Sequence, residues 1–194
     1  MVGSTRNSRA DVVAAAGRLF AERGYHGTSM RDLGRELGLL GSSLYAHVDS
    51  KQDLLVEVVE VGARLFQESA SGALETEGSA LDRLRALIAG HLDVVVENLD
   101  IARTFLNEAR ALDEAHRARV LEARDRYEAS FRAVVREGIE TGVLRSDLDV
   151  KTTSIFVLSI LNAIERWYHP TGAIGRVELA DQLADFVLSG IASN

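Results

Sequence analysis

Ser42, Ser43, Tyr45 and His47 fall within one six-residue window, and Lys51 follows four positions later. Hydroxyl, phenol, imidazole and ammonium groups at that spacing on a short helix donate to phosphate oxygens and base edges. That is the chemistry of a nucleic-acid surface rather than of bond breaking. The motifs of catalysis are missing from the sequence: there is no G-x-S-x-G, no G-x-x-x-x-G-K-[ST], no H-E-x-x-H and no cysteine. His116 beside Asp113 and Glu114 has a metal-like composition but reads as a solvated helix start. His91 lies on the apolar face of its helix, either as a hydrogen-bonded core histidine or as a polar contact to a bound ligand.

The elements that must position these groups follow from local signals. Ser29 and Asp32 have the S-x-x-D spacing of a capping box, and Met30, Leu33, Gly34 and Leu37 recur at helical spacing behind it. Gly38 stands where a left-handed C-cap is usual. A second short helix then begins near Gly41, held along one edge by Leu44 and Val48. Ser50 and Asp53 repeat the capping box and open a long helix at Lys51, beside free backbone N–H groups that suit a phosphate. Two short helices joined by a Gly-containing turn make a helix-turn-helix. A preceding helix from Arg9 to Arg23, ended by Gly24, completes a three-helix domain, with Tyr25 packed beneath it.

The string S-L-Y-x-H-x-x-S-K over Ser43–Lys51, preceded by G-Y-x-x-T-S-M-R-D-L over Gly24–Leu33, resembles the DNA-binding domain of the tetracycline-repressor-like (TetR) family. The resemblance implies a recognition helix in the major groove and operator contacts at Thr28, Ser29, Arg31, Ser42, Ser43, Tyr45, His47 and Lys51. The sequence departs from the family at Leu40, Ala46 and Val48, where a capping Ser or Thr, an aromatic or His, and Phe are usual. Loss of the cap costs about 1 kcal/mol locally.

Composition supports an all-α chain: 46% hydrophobic residues, a single proline and no apolar run long enough to span a membrane. The absence of cysteine, glycosylation sequon and signal-peptide pattern fits the cytoplasm and no membrane partner. The net charge of −7 is unevenly divided, +2 over residues 1–52 and −9 over the rest. An acidic body with a basic head discourages non-specific adhesion to nucleic acid. The expected architecture is a helix-turn-helix domain over 1–52 and a larger effector-binding and dimerisation domain over 53–194, about nine helices in all.

In that body, Phe66, His91, Phe105, Tyr127 and Phe131 lie on the inward faces of consecutive helices, as the walls of a small-molecule cavity or as filled core. Arg117, Arg119, Arg124 and Arg126 decorate the solvated sides of a long helix over 113–141. The helix from Val150 to Tyr168 is apolar nearly all round between Ile155 and Ile164, which demands core on one side and a partner subunit on the other. With the last helix it supplies an isologous homodimer interface at Ile155, Leu158, Asn162, Arg166, Leu179, Leu183, Phe186 and Val187. The segment Asn162–Gly175, through E-R-W-Y-x-P-x-G and the following E-L-A-D-x-L-A-D, resembles TetR-like regulators that answer to acyl-CoA thioesters. Trp167 is then a ligand contact or an anchor of the dimer. The expected function is a ligand-responsive regulator, a repressor released from a palindromic operator, with no cofactor. A DNA-binding dimer without an effector and a helical enzyme or carrier are the alternatives.

Overall fold

The computed structural model describes residues 8–39, 44–46, 48–169 and 171–193. Among these it has eight α-helices and one 3-10 turn, and its one extended pairing is an antiparallel bridge between Leu144 and Ala192. The helix expected over Gly41–His47 falls mostly outside the described residues. The chain divides into two compact units, Met1–Ala63 with Asp100–Val120, and Arg64–Leu99 with Leu121–Asn194.

In the first unit, α1 (Arg9–Gly27) starts at a capping box of Ser8 and Asp11 and buries Val12, Val13, Ala16, Leu19 and Phe20. Gly24 breaks it at φ +73°, a left-handed conformation open to glycine, and one more helical turn follows before Thr28 extends the chain. Helix α2 (Met30–Glu36) opens on the Ser29–Asp32 box. It closes in a Schellman turn: Gly38 takes φ +64°, Leu39 N–H donates to Gly34 O at 2.8 Å and Gly38 N–H to Arg35 O at 3.2 Å. Helix α3 (Lys51–Leu74) begins at Ser50, whose hydroxyl accepts from Asp53 N–H at 3.1 Å.

Helix α5 (Leu99–Asn107), from Asp100 onward, and the turn Ala109–Ala111 belong to this first compact unit. Two glycines explain it. A Cβ at Gly17 would meet Ile101 Cγ1 at 3.6 Å, and one at Gly62 would stand 2.7 Å from Phe105 Cβ. The Thr104 hydroxyl donates to Gly17 O at 3.3 Å. Gly62→Ala should therefore force α3 and α5 apart and lower stability by about 1–3 kcal/mol in urea unfolding. An unchanged midpoint would show that the two helices have slack between them.

In the second unit, α4 (Ala80–Glu97) starts at the Ser79–Asp82 capping box and packs against both α7 (Val150–Trp167) and α8 (Arg176–Ile191). Leu84, Leu87, Ile88, Leu92 and Val95 of α4 are buried with Phe131, Val134 and Val135 of α6 (Glu114–Glu140) and Leu161 and Ile164 of α7. Each such side chain contributes about 1.5–3 kcal/mol by leaving water. The end of α8 is tied to the turn after α6, with Arg145 N–H donating to Ile191 O and Ser193 N–H to Val143 O, both at 3.0 Å.

Candidate DNA-reading and effector sites

In the first unit, Leu44 and Tyr45 are helical, and Val48 N–H donates to Leu44 O at 3.3 Å. Leu44 and Val48 are buried, the two anchors expected at i and i+4, whereas Tyr45 is 55% exposed and directed away from the core. Leu40, Ser42, Ser43 and His47 lie outside the described residues. Ser29 and Arg31 are exposed. The Ser29 hydroxyl and amide both engage the Asp32 carboxylate, and these bonds hold the Asp32 pKa below its ordinary value.

Two of the expected DNA contacts turn out to have work inside the fold. Thr28 is 2% exposed, and its hydroxyl donates to Leu19 O at 3.1 Å and Gly24 O at 3.0 Å. The hydroxyl thus ties the start of the extended segment back to α1 on either side of the break at Gly24. The Lys51 ammonium donates to Tyr25 O at 2.9 Å and Thr28 O at 2.8 Å and sits 4.1 Å from the centre of the Tyr25 ring. An ammonium has three donors, and Lys51 uses two of them to fasten the corner between α1 and α2. Tyr25 packs 5.6 Å from the Phe20 ring, its hydroxyl donates to Gln52 Oε1 at 2.9 Å, and its amide N–H donates to Glu108 Oε2 at 3.2 Å. Burial, then the charge of Asp53, raises its phenol pKa.

In the second unit, Phe66, His91, Tyr127 and Phe131 form one aromatic cluster. Ring centroids stand 4.9 Å apart for Phe66–His91, 5.4 Å for Phe66–Tyr127 and 5.5 Å for Tyr127–Phe131. Phe105, expected with them, lies in the first unit. His91 is 1% exposed, and its Nδ1 is 3.0 Å from the Tyr127 hydroxyl. Desolvation drives the imidazole pKa down to about 3, against the weaker opposing effect of a hydrogen bond with the Leu161 backbone. Tyr127 is partly exposed as a residue, but its hydroxyl lies in enclosed surroundings that push the phenol well above its usual range. Both groups are uncharged at neutral pH. Arg124, one turn before Tyr127, is half buried rather than on a solvated face, and burial lowers its pKa. Among the described residues no group of His, Asp or Glu side chains is arranged to hold a metal ion, and Asp113 accepts from the His116 amide at 2.9 Å as a helix cap.

The expected interface residues divide between two faces. Leu179 and Val187 are buried in the chain's own core, because α8 turns them onto α4. Ile155 and Phe186 are exposed, the latter by 69%, as is Arg166; Leu158, Asn162 and Leu183 are half buried. Phe156 (65% exposed), Ile160 and Val177 are also outward-facing and were not picked out from the sequence. The i, i+4 step from Phe156 to Ile160 was the available signal. Trp167 is half exposed at the end of α7, while its neighbour Tyr168 is buried.

A helix-turn-helix head with an all-helical body is the architecture of a bacterial DNA-binding regulator, and comparison with known proteins agrees. Residues 12–58 match the family model described as bacterial regulatory proteins, tetR family, and residues 77–191 match the tetracyclin repressor-like C-terminal domain. The chain belongs to the TetR family. It is 30% identical over 190 residues to the HTH-type transcriptional repressor KstR2 of Rhodococcus jostii, covering 95% of this chain and 91% of that one. The structure of the ketosteroid transcriptional regulator KstR2 of Mycobacterium tuberculosis superposes with a TM-score of 0.92 at 26% identity, covering all of both chains. The TetR-family regulator PfmR of Thermus thermophilus does so with a TM-score of 0.85 at 33% identity, over 92% of this chain and 97% of that one. The family and these relatives are transcriptional regulators, not enzymes. No helix among the described residues is long and apolar enough to cross a membrane.

Proposed function

We propose that this chain is a homodimeric repressor that reads a near-palindromic operator and is released from it by a small apolar effector, an acyl-CoA thioester. The observation that carries the reading is the full-length similarity to repressors, from the helix-turn-helix through the effector-binding body. The outward Tyr45 supports the DNA contact; the other proposed contacts are Thr28, Ser29, Arg31, Ser42, Ser43, His47 and Lys51. The exposed apolar residues of α7 and α8 support the dimer. The aromatic cluster around His91, and the E-R-W-Y-x-P-x-G segment, support the effector; the mycobacterial relative is itself a ketosteroid regulator.

Two recognition helices must stand about 34–36 Å apart, or a multiple of that, to enter successive major grooves. A ligand that favours another spacing lowers operator affinity by its differential affinity for the two states. Footprinting on DNA upstream of the protein's own gene should show two protected half-sites about one helical turn apart. Tyr45→Ala should weaken that complex at least tenfold, and a medium- or ring-acyl-CoA should dissociate it while raising the melting temperature. A footprint that no acyl-CoA disturbs would leave a DNA-binding dimer with a filled core and remove the effector claim.

A further inference from the structure

We propose that Glu108 is a positioning residue for DNA recognition: its carboxylate, anchored at the end of α5, fixes the place where α1 gives way to the helix-turn-helix. This rests on the DNA-binding reading above and is independent of any effector. Glu108 stands 83 positions beyond Tyr25 in the chain, yet its Oε2 accepts from the Tyr25 amide N–H at 3.2 Å. Its Oε1 lies 3.6 Å from where a Cβ on Gly24 would stand. The carboxylate therefore sits over the residue at which α1 departs from helical dihedrals, φ +73° and ψ 161°. Glu108 is itself held from both sides. Its amide donates to Thr104 O and its carbonyl accepts from Ala111 N–H, both at 2.9 Å. One turn earlier on α5, the buried Thr104 hydroxyl donates to Gly17 O. Helix α5 thus fastens α1 once before the break and once immediately after it.

Tyr25 passes that constraint to the reading head. Its carbonyl accepts from Lys51 Nζ and its hydroxyl donates to Gln52 Oε1, each at 2.9 Å, at the start of α3. Lys51 also holds Thr28 O at 2.8 Å, and Ser29, the next residue, caps α2. Both ties from α3 come from adjacent residues and leave Tyr25 able to pivot about that helix end. Glu108 supplies the third tie from another element, which removes the pivot where α2 sets out. The reach of the side chain matters here more than its charge, because an amide oxygen in the same place accepts the same N–H.

The test uses the full-length protein, a duplex that it selects from a random library, and an unselected duplex as reference. Glu108→Asp keeps the charge but is one methylene too short, whereas Glu108→Gln keeps the reach without the charge. Glu108→Asp and Glu108→Ala should weaken the selected complex about tenfold, the low end for a hydrogen bond to a charged group. Binding to the unselected duplex should stay within about threefold, since sequence-independent affinity rests on phosphate charge. Glu108→Gln should match the native chain on both duplexes. Hydrogen exchange at the Tyr25 amide should quicken in Glu108→Asp and Glu108→Ala and keep its native rate in Glu108→Gln. Circular dichroism melts place the assay temperature below each transition, and Glu108→Asp carries the test where Glu108→Ala does not fold. Native affinity in Glu108→Asp, equal loss on both duplexes, Glu108→Gln as weak as Glu108→Asp, or an unchanged Tyr25 amide overturns the proposal while DNA binding stands. A native protein that selects no duplex removes the DNA-binding reading, and the role of Glu108 with it.

Discussion

Phe186→Asp should turn the proposed homodimer into a monomer and weaken operator binding by about 10²–10⁴-fold, the advantage lost when two linked half-sites become independent. Phe186 is 69% exposed and Phe156 65%, on helices that both pack against α4, and Ile155, Ile160 and Val177 are outward-facing with them. Exposed large apolar side chains in such number mark a surface that another molecule covers. Covering each contributes about 1.5–3 kcal/mol, and an aspartate there adds a desolvated charge beside the existing carboxylates of Asp181 and Asp185. Val187→Asp is the contrasting change. Val187 is 6% exposed in the chain's own core, so its aspartate should unfold the second unit rather than dissociate a dimer. Light scattering gives the mass and thermal melting gives the fold. If the double variant Phe156→Asp, Phe186→Asp keeps the native mass, the interface lies elsewhere.

Stability should fall by about 1.4 kcal/mol for each pH unit below 6.5, a loss of roughly 2 kcal/mol between pH 6.5 and pH 5. The cause is His91, whose pKa drops from 6.5 to about 3 on folding because its cluster excludes water. Between those two values the unfolded chain binds a proton that the folded chain refuses, so acid favours unfolding. From about pH 7.5 upward the imidazole is nearly all neutral in both states and the dependence vanishes. The depressed carboxylates, Asp32 and Asp82 among them, remain ionised throughout pH 5–7 and add no slope in that window. Urea titrations at pH 5 and pH 7 measure the difference, and His91→Phe should abolish it. A native slope that survives in His91→Phe would assign the effect to another group.

How much of this was legible beforehand depends on how local each signal is. Ser29 with Asp32, Ser50 with Asp53, and Ser79 with Asp82 each declare a helix start within four residues, and all three form. Gly38 declares the end of α2 in the same local way. Ser8 with Asp11 has identical spacing, hidden only because the preceding residues read as a polar tail. What could not be read is whatever depends on distant partners. Thr28 and Lys51 look like phosphate ligands, and nothing local tells that they also bond to the backbone carbonyls of Leu19, Gly24 and Tyr25. Helix α5 joins the first unit because Gly17 and Gly62, 45 positions apart in the sequence, both make room for it. In α7 the apolar run between Ile155 and Ile164 implies burial on every side. It does not say that Leu161 faces the core while Phe156 and Ile160 face out. Arg124 looks solvated by periodicity alone, because a stripe assigned from Val120, Tyr127 and Phe131 does not reveal how far the neighbouring helices reach round α6.

The ammonium of Lys51 also limits what the α1–α2 corner will accept. Two backbone carbonyls and the face of a tyrosine converge on a compact charge at the end of a four-carbon stem. Arginine, flat and forked, cannot offer one point to all three, so the usual charge-preserving exchange is here a geometric change. Tolerance to Lys51→Arg is therefore a gauge of corner rigidity: a variant that melts early while retaining full positive charge would show that the pitch of the reading helices is set by the shape of a cation as much as by its sign.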